Sequence, residues 1–200
     1  MRFKESVATA LTLAAASACW ALSVQVASRE IIISGLNPGA SVAVLGVVYW
    51  GGEFFPTRQP IQEQITDEGS RGEVTLTFAQ DLPVMTVVAA VSLETGEVAV
   101  AAHPEYPYGL WRAAPDLPGP PGVGRSELPL PRVRRGRVLL VRPGAGAWVG
   151  STLGAAEHLP LDRMRPLKGN ALPSRGTAAG DVVLGLDEEH LEFWQGKVGR

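Results

Sequence analysis

The chain of 200 residues has little cysteine, little charge and no basic surplus, and each of these shortages excludes a class of protein. Its single cysteine, Cys19, excludes an internal disulfide and a zinc site built from several cysteines. Charged side chains make up 19% of the residues, against about a quarter in an average globular protein. The formal net charge of −2 argues against a nucleic-acid partner, because binding the phosphate backbone needs a strong excess of Lys and Arg.

The sequence also lacks the motifs of the common catalytic and cofactor-binding sites. Residues 150–154 read Gly-Ser-Thr-Leu-Gly, in which serine stands one place out of register for the Gly-x-Ser-x-Gly nucleophile turn. Residues 144–150 are similar to a glycine-rich nucleotide-binding loop, but no Lys-Ser/Thr pair and no long helical pattern follow, so they indicate a hairpin loop. His103, His158 and His190 have no metal-binding spacing, and there is no Asp-x-Asp-x-Asp calcium loop. We therefore expect no cofactor, no metal and no enzymatic activity.

Glycine and proline are abundant, and they favour an all-β fold of short strands joined by tight turns. There are 23 glycines and 16 prolines, nearly a fifth of the chain. In residues 84–102, two apolar runs rich in valine flank a Glu-Thr-Gly-Glu turn, in which Gly96 can adopt a positive φ. Because both runs are apolar at nearly every position, we expect this hairpin to lie inside a sheet that is covered on both faces, and not at an exposed edge.

A β-sandwich is predicted for residues 29–103. An isoleucine-rich strand, a Gly-Leu-Asn-Pro-Gly turn and a valine-rich strand succeed each other over residues 30–50. This succession is similar to the start of many bacterial immunoglobulin-like (Ig-like) modules over about twenty residues, and the resemblance implies an Ig-like sandwich. Alternating polarity adds a half-exposed strand at 72–79, whereas residues 51–70 are predicted to form a long loop. We expect about five strands in this unit.

Residues 1–28 have the character of a signal peptide or membrane anchor. Arg2 and Lys4 form a basic start, and residues 6–28 carry no charge over 23 positions. Three alternatives remain open. Ala-Ser-Ala at 16–18 is a small-x-small cleavage pattern of a secretory signal peptide. The uncharged run is also long enough, at about 1.5 Å per residue, to cross a hydrocarbon core of about 30 Å. Finally, residues 16–19 resemble a bacterial lipoprotein processing site, which implies a diacylglyceryl group on Cys19, although the family prefers Leu where Ala16 stands.

The second half of the chain differs in composition from the first. Eight prolines lie between residues 103 and 132, so residues 104–132 are predicted to be an extended proline-rich linker, with docking of a partner as the alternative. Residues 133–200 are predicted to form a small β-rich unit, with strands at 137–141, 147–152 and 181–186. Residues 191–194 are either a fourth strand or a helical turn, and residues 154–180 are irregular. Because 68 residues are marginal for an independent core, we expect this unit to pack against the first. The arginines at 132, 134, 135 and 137 indicate an exposed strand edge protected by charge, or a contact with anionic envelope material.

These patterns lead to a functional hypothesis and to one alternative. All three alternatives for residues 1–28 place the mature chain outside the cytoplasm, in the periplasm, on the outer surface or secreted, with a membrane tether in two of them. We expect an exported bacterial cell-envelope protein with a non-catalytic binding or structural-scaffold role, whose partner is an envelope protein or polysaccharide. Exposed aromatic rings in loops are the candidate contacts. The alternative is a small secreted hydrolase with a site in the C-terminal unit around His158, Asp162 and His190, in which Asp187 is a further candidate partner for a histidine. The candidate contact residues are Trp50, Phe54, Phe55, Tyr106, Tyr108 and Trp111.

Overall fold

A computed structural model describes residues 21–51, 57–111, 123–130, 135–153, 158–169 and 176–198. Over these ranges the chain is all-β, and the one helical element described is a single 3-10 turn, Leu161–Arg163. No helix in this part of the chain is long and apolar enough to cross a bilayer. The strands, numbered in chain order, are β1 (Ser23–Val26), β2 (Glu30–Ser34), β3 (Ser41–Trp50), β4 (Thr57–Thr66), β5 (Glu73–Thr77), β6 (Thr86–Ser92), β7 (Val98–Ala102), β8 (Glu127–Pro129), β9 (Arg135–Arg142), β10 (Gly146–Leu153), β11 (His158–Pro160), β12 (Arg165–Pro166), β13 (Val182–Asp187) and β14 (Glu192–Lys197).

The strands pair antiparallel in three sheets and one short ribbon. The order is β1-β2-β5 in a three-stranded sheet, β4-β3-β6-β7 in a four-stranded sheet and β12-β10-β9-β13-β14 in a five-stranded sheet. The ribbon consists of β8 and β11. Strands that are neighbours in sequence are thus often neighbours in a sheet, as short hairpin connections favour.

The four-stranded sheet lies between the other two sheets and is buried on both faces. Successive side chains of a strand point to opposite faces. Accordingly, Val42 and Val44 of β3 belong to the core shared with the three-stranded sheet, whereas Ala43 and Leu45 belong to the core shared with the five-stranded sheet. Every residue of β6 is buried. A third core, beneath the β8–β11 ribbon, covers the far face of the five-stranded sheet. The fold is therefore a stack of three sheets, closed on one side by a ribbon.

The predicted hairpin of residues 84–102 is present as β6 and β7, and Gly96 has the expected positive φ, 71°. A side chain at Gly96 would also approach Val182 to 2.9 Å and Pro143 to 3.1 Å, so the turn needs glycine for its contact with the five-stranded sheet as well. The expected burial on both faces is confirmed for β6. Alternate residues of β7 also pack against the two cores, but this strand is only half-buried, and it forms one edge of the sheet, so the expectation that the hairpin avoids an edge is wrong.

The sandwich made by the first two sheets contains seven strands, two more than predicted. β1 lies inside residues 1–28, the segment predicted to be a signal peptide or anchor. The sequence does not indicate this strand because Ser23 and Gln25, which alternate with Val24 and Val26, belong to a longer uncharged run. β4 lies inside the predicted loop of residues 51–70. Its sequence is mostly polar because it is an edge strand, where one row of backbone groups faces away from the sheet and Pro60 is tolerated.

The C-terminal half also contains more structure than expected. The predicted strands at 137–141, 147–152 and 181–186 are present as β9, β10 and β13, and the predicted fourth element at 191–194 is a strand, β14, which begins at residue 192. The predicted linker contains β8, whose Leu128 is fully buried. The stretch 154–180, expected to be irregular, contributes β11 and β12. This half lies directly against the sandwich, because residues of β9, β10, β13 and β14 form one core with the four-stranded sheet.

The packing of Trp194 on Gly185 gives a prediction for stability. These residues are paired across β13 and β14, and a Cβ at position 185 would lie 1.7 Å from the indole ring of Trp194, which is 2% exposed. Gly185→Ala should therefore destabilise the fold by about 3 kcal/mol, because the buried ring has to move. The measurement is urea unfolding followed by tryptophan fluorescence.

Gly196→Ala is the matched control, since a Cβ there meets nothing within 4 Å and the residue lies in the same sheet. It should leave the urea midpoint nearly unchanged. Equal midpoints for the two variants would contradict the packing described for Trp194.

Candidate binding cleft

A cleft of about 810 Å³ opens at the seam between the four-stranded and five-stranded sheets. Five parts of the chain meet there, and they are the end of β3, the segment before β6, the chain after β7, the start of β9 and the β13–β14 turn. Its volume is in the range of small-molecule and oligomer binding sites in proteins. The described lining combines tyrosine and methionine with acidic residues and a histidine.

One wall of the cleft is aromatic. The rings of Tyr106 and Tyr108 meet edge to face with their centroids 5.6 Å apart. The Tyr106 hydroxyl donates a hydrogen bond to the backbone carbonyl of Leu191 at 3.4 Å, and burial, together with nearby Glu192, raises the pKa of Tyr106. Tyr108 is 67% exposed, and Met85 near it is 38% exposed. Tyr106 is thus held in place by its hydrogen bond, and the exposed ring of Tyr108 packs against it.

A second part of the lining is the β13–β14 turn, which holds a histidine–aspartate pair. Asp187 is buried, and its Oδ1 accepts hydrogen bonds from the backbone N–H groups of Glu189 at 3.0 Å and His190 at 3.3 Å. Its Oδ2 lies 2.9 Å from Nδ1 of His190. This hydrogen bond and the negative charge of Asp187 raise the pKa of His190. The imidazole itself is largely exposed and faces the cleft.

Behind this turn, a buried carboxylate joins the two halves of the chain. Glu188 is 2% exposed and forms ion pairs with Arg58 of β4 and with Arg137 of β9. The Tyr49 hydroxyl at the end of β3 donates a hydrogen bond to the backbone carbonyl of Glu188 at 2.7 Å. We call Glu188, Arg58 and Arg137 the buried ion triad. It fixes the β13–β14 turn, and with it His190, against the four-stranded sheet.

The structure divides the predicted contact residues among several places. Tyr106 and Tyr108 line the cleft, and Trp111, 47% exposed, lies beside Phe193 with a centroid distance of 6.5 Å. Trp50 is half-buried on the side of the three-stranded sheet, and its indole N–H donates to Gln59 at 2.8 Å. Phe54, Phe55 and the candidate lipidation residue Cys19 lie outside the described residues.

The predicted hydrolase site is not assembled as expected. His158 lies on β11 and Asp162 in the 3-10 turn, and both side chains are exposed. The residue that the structure brings to His190 is Asp187, the further candidate partner. In the described ranges there is no group of three or more His, Cys, Asp or Glu residues that could hold a metal ion.

Sequence reasoning missed the buried ion triad. Arg137 was assigned to an exposed edge, but β9 is the central strand of its sheet and the Arg137 side chain is 16% exposed. Glu188 and Arg58 are 130 residues apart in sequence, so no local pattern could pair them. The available signal was the run Asp-Glu-Glu-His at 187–190, four polar residues at the end of a buried strand and in the turn that follows it.

Comparisons of the chain with protein-family models, with curated proteins and with solved structures found no match. The residues and geometry of the cleft are therefore the basis of the function proposed below.

Removing the buried carboxylate tests the ion triad. Glu188→Ala leaves Arg58 and Arg137 without their shared partner, and their side chains are only 27% and 16% exposed. The free energy of unfolding should fall by about 3 kcal/mol, because two half-buried charges lose their compensation. Asp81→Ala is the control, since its pair with Arg29 is exposed and should contribute less than about 1 kcal/mol. Equal losses in denaturant unfolding would show that the triad adds no more stability than an exposed ion pair.

The pair of His190 and Asp187 predicts a dependence on pH. A raised pKa in the folded state means that protonated His190 stabilises the fold below its unfolded pKa of about 6.5, and that this contribution is lost as the pH rises through the folded value. An NMR titration should show the pKa of His190 falling in Asp187→Asn. Asp162→Asn, at an exposed position away from the pair, should leave the titration unchanged. An identical pKa in wild type and Asp187→Asn would contradict the assignment.

Proposed function

We propose that this chain is an exported bacterial cell-envelope protein with a non-catalytic binding or structural-scaffold role, and that it binds its partner in the cleft. The observation that carries the proposal is the exposure of Tyr108 and Trp111, at 67% and 47%, in and near a cleft of about 810 Å³. Large rings left in water beside a concave surface are characteristic of binding sites, because covering them on binding is favourable.

The chemistry of the cleft favours an envelope polysaccharide as the ligand. The tyrosine rings offer flat surfaces on which the C–H faces of sugars can stack. The exposed side chains of Glu189 and His190 supply polar groups that can bond to hydroxyls. A protein partner from the envelope is the competing outcome of the binding test below.

The arrangement of the strands supports an Ig-like identity for the sandwich as part of this proposal. Seven strands in sheets of three and four match the number in constant-type Ig domains. In that type the fourth strand joins the sheet of the first, second and fifth strands. Here β4 pairs with β3 instead, so the proposal is an Ig-like sandwich with a switched fourth strand.

Export is supported by the sequence of residues 1–20. A basic start precedes an uncharged, alanine-rich stretch with a small-x-small pattern at 16–18. The proposed location is outside the cytoplasm, in the periplasm, at the outer surface or secreted. A membrane contact through this segment is part of the proposal where the segment is retained or carries a lipid on Cys19.

A small secreted hydrolase is the second candidate function, and the hydrogen-bonded pair of His190 and Asp187 favours it. A histidine oriented by a buried carboxylate is the arrangement of a general base. However, the described lining of the cleft contains no serine, threonine or cysteine that such a base would activate. This candidate therefore requires a water molecule as the nucleophile. It predicts that His190→Ala abolishes turnover of a ligand that the protein still binds.

Alanine substitution of the exposed rings tests the binding role. Tyr108→Ala and Trp111→Ala should each weaken binding to insoluble cell-wall polysaccharide by about tenfold, because each removes a stacking surface. Val123→Ala is the control, since Val123 is also exposed but has no aromatic ring on which a sugar could stack. Co-sedimentation with wall material from the native host measures the affinity. Unchanged sedimentation of both ring variants would exclude the cleft as the binding site, and capture of an envelope protein in place of polysaccharide would reassign the partner class.

A further inference from the structure

Residues 21–28, which the sequence alone places in the export segment, are an integral part of the folded sandwich. All four residues of β1 pair with β2, from Ser23 opposite Ser34 to Val26 opposite Ile31. The side chains of Leu22 and Val26 are only 7% and 2% exposed. A chain that lacked this strand would leave the backbone N–H and C=O groups along one edge of β2 unpaired.

The contacts of this stretch begin at Ala21 and continue to Ser28. Gly35 has a φ of 82°, and a Cβ there would lie 2.3 Å from the backbone oxygen of Ala21, so the turn after β2 is shaped around the start of β1. The backbone N–H of Leu22 donates to Oε1 of Glu97 at 3.2 Å. At the other end, the backbone carbonyl of Ser28 accepts a hydrogen bond from Leu82. The mature protein therefore needs the chain from about residue 21 onward.

This requirement shortens the segment that is left for export. If residues 21–28 belong to the fold, the uncharged stretch that precedes them is residues 6–20, which is 15 residues long. As a helix it would measure about 22 Å, less than a hydrocarbon core of about 30 Å. A length of about 15 residues matches the apolar region of a cleaved signal peptide.

We propose that the leader is removed between Ala18 and Cys19, so that the mature chain begins at Cys19 and keeps β1. This inference rests on the proposed export of the chain. A membrane-bound signal peptidase would read the small side chains of Ala16 and Ala18 and add water across the bond, leaving a carboxylate on Ala18 and a free amino group on Cys19. The cut lies three residues before Leu22, so it leaves every described contact of β1 intact.

Intact-mass measurement of the full-length protein expressed in its native host tests the cleavage position. A mature chain that starts at Cys19 supports the proposal, whether the thiol is free or carries the added mass of a diacylglyceryl group. A start at or after Leu22 overturns it. An unprocessed chain in the membrane fraction overturns this inference but keeps the envelope location, whereas an unprocessed chain in the cytoplasm overturns the proposed function as well.

Two matched variants distinguish a cut after residue 18 from a cut after residue 28. Ala18→Leu places a large side chain directly before the proposed cut and should leave the chain unprocessed. Ser28→Leu blocks a cut after residue 28 in the same way, and because Ser28 is exposed in the fold it should be processed like the wild type. The opposite pattern would place the cut after β1.

The structural premise has its own test, independent of the host. Residues 19–200 with Cys19→Ser and residues 29–200, both produced without a leader, are compared by thermal unfolding. The chain from residue 29 lacks β1, and its midpoint should be lower by about 10 °C or more, or its cooperative transition should be lost. Equal midpoints would show that β1 is dispensable and would remove the reason for placing the cut before it.

Discussion

The structure depends on a four-stranded sheet that has to be covered on both faces. β3 and β6 alternate between two apolar cores, and every residue of β6 is buried. A sheet of this kind cannot leave one face in water, as most antiparallel sheets do, because the exposed valines would lose the free energy of burial, about 25 cal/mol per Å². One cover is the three-stranded sheet from the first part of the chain, and the other is the five-stranded sheet from the C-terminal part. The two halves are therefore held together by one shared layer.

The cleft is a consequence of this shared layer. Where the four-stranded and five-stranded sheets meet, the β13–β14 turn reaches the end of β3, and the buried ion triad fixes it there. A buried charge costs free energy unless it is compensated, so Glu188 holds both arginines in place and leaves the turn few alternative positions. The Tyr106 hydroxyl donates a hydrogen bond to the backbone carbonyl of Leu191 in the same turn. The result is a concave site lined by tyrosine rings and by the acidic, histidine-containing β13–β14 turn. Hydrogen bonds and ion pairs hold both parts in place, and such preorganisation lowers the entropy cost of binding.

Much of the fold could be predicted from local pattern, and the failures have identifiable causes. The sequence predicts the buried strands β3, β6, β9 and β13 and the turn at Gly96. A buried strand is apolar along its length, and a tight turn needs glycine where φ is positive. β4 was missed because an edge strand is polar, and β1 because it continues an uncharged run. Of the candidate site, the exposure of Tyr108 and Trp111 followed from their loop context. The triad did not, since it joins β4, β9 and the β13–β14 turn, and only the stacking of the sheets brings them together.

The central claim is that both halves share the four-stranded sheet and hence fold as one unit, and scanning calorimetry of the mature protein tests it most directly. We expect a single transition in which the calorimetric enthalpy equals the van't Hoff enthalpy, because the sandwich and the C-terminal sheet share one core. Two separate transitions, or a van't Hoff enthalpy well below the calorimetric value, would show two independent domains. The apolar face between the sheets would then be a secondary contact, and the cleft at its edge would lose its fixed geometry.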